Sequence, residues 1–130
     1  MNLATLRVEG PDESLGQLKE LLGLYPDVEW RAGERRRNGS VRESSGFNAT
    51  VADEETAGDM TARVHDFLNR CTRAQVSFPW RGIQGEIDVG FDVGSSERFA
   101  GGFRLSPTYI QAWAKCGLSL VTTAYPASDG

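Results

Sequence analysis

Two cysteines and one histidine among 130 residues leave little material for the commonest catalytic chemistries. The chain has no G-x-S-x-G nucleophile turn, no G-x-x-x-x-G-K phosphate loop, no C-x-x-C pair and no H-E-x-x-H zinc helix. These absences narrow the enzymatic possibilities, and they give no reason to expect a cofactor or a metal. Long apolar runs are also missing. Nothing approaches the ~18 consecutive apolar residues of a bilayer span, and the mean hydropathy is -0.38. The opening MNLATLRVEG lacks the charged and apolar regions of a secretion signal, so the expectation is a cytoplasmic protein with no membrane association. Positive charge is in deficit, with 14 Lys and Arg against 18 Asp and Glu. That balance argues against general nucleic-acid binding, which rests on phosphate neutralisation. Cys71 and Cys116 are expected as reduced thiols on inner helix faces, where cysteine behaves as a small hydrophobe. Asn48-Ala49-Thr50 fits the glycosylation pattern, but without secretion it reads as strand sequence.

What is present has the size and composition of one globular domain spanning residues 1–130. Folding would bury roughly 65 to 70% of the surface the unfolded chain exposes. LATLRV at 3–8 alternates, with Leu6 and Val8 inward, as a first strand does. Pro11 suits the first position of a helix carrying Leu15, Leu18, Leu21 and Leu22 and closed by Gly23. The extended stretch that follows presents Val28 and Trp30, with Trp30 expected to pack across that helix. Residues 34 to 46 read as a mobile loop. Phe47, Ala49 and Val51 then alternate as a strand. A second helix is marked by Thr56 with Asp59 at its start and by Met60, Val64, Phe67, Leu68 and Cys71 along one face. Asp59/Arg63 and Asp66/Arg70 are spaced for ion pairs on that helix. Val76, Phe78 and Trp80 alternate, but Pro79 confines the segment to an edge or a short strand. EIDVGFDV at 86–93 is the cleanest strand, with a turn expected at residues 94–97.

The final block, GGFRLSPTYIQAWAKCGLSLVTTAYP, specifies a strand, a capped helix and a second strand. Ser106 serves as N-cap, Pro107 takes the first helical position, Leu105 can staple onto Ile110, and Gly117 follows the helix in a left-handed conformation. Strands interspersed with three helices, without strict alternation, point to an α+β sandwich. The expected form is a largely antiparallel sheet of about five strands with three helices packed on one face.

Four segments carry a resemblance in the same order: ATLRVEG at 4–10, LLGLYP at 21–26, Trp30-Arg31-Ala32-Gly33-Glu34, and GGFRLSP with GLSLVTTAY at 101–125. In these the chain resembles a bacterial family catalogued as domain of unknown function 4279. The landmarks flank the region from 53 to 85, and Phe47 stands where a tryptophan is usual in that family. The resemblance implies an α+β fold and transfers no catalytic residue. Small bacterial domains of this kind often accompany toxin loci as immunity proteins, which is an analogy.

Three groups of side chains are candidates for function. Glu86, Asp88 and Asp92 project from one strand face, neighbours two residues apart lying roughly 6.5 to 7 Å from each other. Such an acidic ridge steers a basic partner and raises association rates by ~10 to 1,000-fold at low salt. It would also suit an inhibitor of a nucleic-acid-cleaving toxin by mimicking phosphate. The alternative is a metal-assisted or carboxylate-dependent hydrolase using Glu86, Asp88 and Asp92, which would need an enclosing cleft. Arg35, Arg36 and Arg37, with Arg31 and Arg42 nearby, form a second group able to dock an anionic partner. His65 is expected to be structural. The expectation is a non-catalytic cytoplasmic binding protein, by that analogy a toxin-neutralising immunity protein, engaging a protein partner through Glu86, Asp88, Asp92, Arg35, Arg36 and Arg37.

Overall fold

The computed structural model describes residues 1–93 and 102–126; the turn expected at 94–97 lies outside them. Over these residues the chain forms β1 (Asn2–Gly10), α1 (Asp12–Leu22), β2 (Val28–Trp30), β3 (Ser45–Glu54), α2 (Ala57–Arg73), β4 (Gln84–Val93), α3 (Pro107–Lys115) and β5 (Ser119–Pro126). The strands make one sheet in the order β2-β3-β1-β4-β5. Every neighbouring pair is antiparallel except β4 and β5, which run parallel. A parallel pair needs a crossover connection, and the segment containing α3 supplies it. The α+β sandwich is as the sequence predicts.

One face of the sheet carries the core. Leu6 and Val8 of β1, Phe47 and Ala49 of β3, and Ile87 and Val89 of β4 are buried beneath the helices. From above they meet Leu15, Leu18 and Leu22 of α1, the stripe Met60, Val64, Phe67, Leu68 and Cys71 of α2, and Trp113 of α3. Helices α1 and α2 lie over β1 and β3, while α3 packs against α2. The helical layer is therefore off-centre.

Local chemistry sets the helix ends. The Thr56 hydroxyl accepts from the Asp59 N–H at 3.1 Å, and the Ser106 hydroxyl accepts from the Tyr109 N–H at 3.3 Å, each satisfying a donor the helix cannot. Pro11 proves to be the N-cap of α1, one position before the expected site, with an extended ψ of 140°. Ile110 keeps 52% exposure, so a staple onto Leu105 covers little of it.

Several expectations are revised. In β3 a bulge between the Thr50 and Ala52 pairings reverses the alternation, so Ala52 is buried in place of the expected Val51. Residues 76–80 join no sheet. Val76 and Phe78 are buried, the Phe78 N–H donates to the Cys116 carbonyl at 2.7 Å, and Trp80 and Ile83 exchange hydrogen bonds around a tight turn at Arg81-Gly82. Proline's missing donor at 79 and the positive φ of Arg81 and Gly82 suit a turn better than a ladder. Residues 102–106, expected as a strand, pair with nothing in the sheet before the Ser106 cap.

The ion pairs expected within α2 give way to contacts with other elements. Arg63 reaches Glu54 at 3.2 Å, and Arg70 donates to the Leu22 carbonyl at the end of α1. Residues 33–42 form a narrow hairpin. Gly33 N–H donates to Arg42 carbonyl, Arg42 N–H to Glu34 carbonyl, and Arg36 N–H to Ser40 carbonyl. Trp30 is buried where a Cβ on Gly46 would sit, and the Arg42 guanidinium covers its ring 4.4 Å from the centroid. Val28 is left half-exposed.

Candidate functional site

The sheet face away from the helices carries alternate residues of three adjacent strands: Leu3, Thr5, Arg7 and Glu9 of β1; Glu86, Asp88, Gly90 and Asp92 of β4; and Ser119, Val121, Thr123 and Tyr125 of β5. Two-residue periodicity places them there, because the intervening residues point into the core. Glu86, Asp88 and Asp92 therefore share one face, as expected. They do not form a bare ridge.

Each carboxylate has its own neighbour. Arg7 is directly opposite Glu86 in the β1–β4 register, with Nη1 to Oε1 at 3.7 Å, and its Nε donates to the Asn48 side-chain oxygen at 3.2 Å. The Thr123 hydroxyl lies 2.9 and 3.1 Å from the two Asp88 oxygens and donates to that carboxylate. The N-terminal ammonium is 3.0 Å from Asp92. Glu9 accepts from the Ser44 hydroxyl at 2.8 Å. Between Asp88 and Asp92, Gly90 leaves room for the Tyr125 ring, which occupies the place of a Cβ. Four carboxylates against two cations give the band an excess of negative charge, while its internal contacts hold the side chains in place. Glu86 and Asp92 keep about a third of their side-chain surface open to solvent.

The surface over this band is shallow and polar. One depression of about 350 Å³ is lined by Arg7, Glu9, Gln84, Gly85, Glu86 and Ser119. A second, of about 180 Å³, lies around Thr5, Asn48, Asp88 and Tyr125. A glycosidase-type general acid needs an apolar enclosure that raises its pKa by desolvation, and neither depression is lined in that way. Among the described residues no three His, Cys, Asp or Glu side chains converge as metal ligands. The hydrolase alternative therefore gains no support from the geometry. What the band can do is present fixed charges and hydroxyls to a complementary surface.

The arginines are elsewhere. Arg35, Arg36 and Arg37 are exposed on the hairpin between β2 and β3. In the sheet order β3 and β1 lie between that hairpin and β4, so the three arginines and the three carboxylates come from opposite sides of β1. Arg42 is committed to Trp30.

His65 stacks on Tyr109 with centroids 4.4 Å apart, joining α2 to α3, and its Nδ1 is buried without a hydrogen-bond partner. Its contacts are structural. Cys71 and Cys116 are both free and buried. Burial, reinforced by the neighbouring Cys116, pushes the Cys71 thiol up to about 12, and burial also raises Cys116. Both are protonated at neutral pH and poor nucleophiles.

Sequence reasoning located the three carboxylates but missed their partners. Arg7 had a signal, since it falls on the outward phase of β1, whereas its position opposite Glu86 depends on which strands pair. Thr123 and Tyr125 required the parallel pairing of β4 with β5. Comparison with family models, with curated proteins and with solved structures found no match for this chain.

Proposed function

We propose that this chain is a small, non-catalytic binding protein of the cytoplasm whose open sheet face engages a basic protein surface. A toxin that cleaves nucleic acid, with a phosphate-binding cleft lined by cations, is the kind of partner the charge pattern fits. Membership of the domain of unknown function 4279 family belongs to the same proposal and rests on the four ordered landmarks.

One observation carries the reading. Glu86, Asp88 and Asp92 are aligned on a sheet face that no described helix covers, held by neighbours and still partly open to solvent. Pre-positioned charges lose little side-chain entropy on binding, and complementary charge accelerates encounter. Rigid carboxylates on a shallow surface fit recognition better than proton transfer, which requires enclosure.

The test is affinity capture of the tagged protein from its native lysate, run beside the double variant Asp88→Lys/Asp92→Lys. The expected result is a stoichiometric basic protein, retained by the unchanged chain, weakened by rising salt and lost from the variant. Circular dichroism and thermal melting show whether the variant is folded. Equal recovery by both folded proteins, or recovery of no stoichiometric protein, contradicts the proposal.

A further inference from the structure

Among the described residues, the far edge of the sheet lacks the usual protections. An edge strand exposes unpaired backbone donors and acceptors, and monomeric proteins blunt such edges with charges, prolines, bulges or brevity. Strand β2, at one edge, has three residues, contains Glu29 and leads into the arginine hairpin. Strand β5, at the other, runs eight residues in unbroken register with β4, from Ser119 opposite Glu86 to Pro126 opposite Val93. Its sequence, SLVTTAYP, has no charged residue, and its single proline is the last position.

Among the described residues, β5 is also partly open on both faces. Helices α1 and α2 lie over β1 and β3, so the helix-side residues Leu120, Thr122 and Ala124 remain exposed, Leu120 at 42%. On the other face Tyr125 is 42% exposed. An uncharged, regular edge bearing Leu, Val, Thr and Tyr is a template for another strand.

We propose that β5 pairs antiparallel with β5 of a second copy of this chain, across a two-fold axis perpendicular to the sheet, giving a continuous ten-stranded sheet. The strand is self-complementary. With the axis at Thr123, Val121 lies opposite Tyr125 of the partner subunit, and Thr122 lies opposite Ala124 of the partner subunit. The first is a β-branched–aromatic pair of the kind that stabilises sheets, and no charge meets a charge at any position. Isologous pairing closes at two copies and consumes both edges, leaving only the short, charged β2 at each end of the assembly. The acidic band lies one strand inward and remains available, so dimerisation is independent of the partner-binding proposal.

A strand-edge interface is modest in area, so the dimer is expected to depend on concentration. Sedimentation or light scattering between about 1 and 300 µM, which spans dissociation constants of weak complexes, should show the mass rising from 14.2 kDa toward twice that value. Thr122→Lys/Ala124→Lys places like charges opposite each other across the axis and should remain monomeric at every concentration. Thr122→Glu/Ala124→Glu should do the same, and an equimolar mixture of the two variants should recover a heterodimer. Amide exchange in β5 of the unchanged chain should slow with concentration, a readout independent of how the variants fold. An unchanged chain that stays monomeric across the range, or a lysine variant that dimerises like it, overturns the proposal.

Discussion

Gly117 sits between the end of α3 and β5 with φ at 70°, and a Cβ there would run into the backbone carbonyl of Phe78. The Phe78 N–H donates to Cys116 next door, so this segment has little freedom to retreat. Gly117→Ala should combine left-handed strain with displacement of the buried Val76–Phe78 segment, costing about 2–4 kcal/mol by urea unfolding. A cost within experimental error would mean that the approach relaxes freely. The thiols give a second expectation at this scale. Cys71 holds its proton more tightly folded, at about 12 against an ordinary 9.0. Its contribution is fully present below pH 9, begins to fall above it, and is lost as pH rises through 12. The urea midpoint should therefore decline between about pH 9 and 11, and less steeply in Cys71→Ala; parallel declines would remove the thiol from the explanation. Legibility differed from residue to residue. Gly117 could be read from the sequence because a helix terminator is a local pattern. The seating of Tyr125 over Gly90 could not, since 35 residues separate partners that only the β4–β5 pairing joins.

Helices were the elements most readily inferred, since their ends are set by neighbours a few residues away. Ser106 and Thr56 each accept a bond from the third residue beyond, and Pro107 starts α3 without forfeiting an intrahelical donor. Ser106→Ala and Thr56→Ala should each lower stability by about 1 kcal/mol, with the Gly replacement costing less. Chemical unfolding checks this, and an alanine no worse than the native cap would show that the hydroxyl is dispensable. Strands were harder. Alternation in Val76, Phe78 and Trp80 matched a strand, yet the segment joins no sheet and buries Val76 and Phe78, with Phe78 bonded to Cys116 at the end of α3, because alternation reports which side chains are covered and says nothing about a ladder. Arg63 and Arg70 likewise chose Glu54 and the Leu22 carbonyl over carboxylates on their own helix. Those partners come from other elements and left no mark in the local spacing.

At the scale of the whole molecule, the decisive feature is that, among the described residues, two helices cover one side of β1 and β3 and leave the opposite face and the β5 edge open. Composition and periodicity were enough for the α+β class. They could not show that Arg7, Thr123 and the N-terminus come together around the carboxylates, because strand order is settled by packing across the entire chain. No described helix is long and apolar enough to cross a membrane. The central claim is that the open face is the recognition surface, and carbodiimide labelling of carboxylates with and without the captured partner tests it most directly. Glu86, Asp88 and Asp92 should lose reactivity in the complex, while Glu13 and Glu20 of α1 and Asp59 of α2 should label as before. Protection of the helical carboxylates, with the sheet carboxylates still reactive, would contradict it.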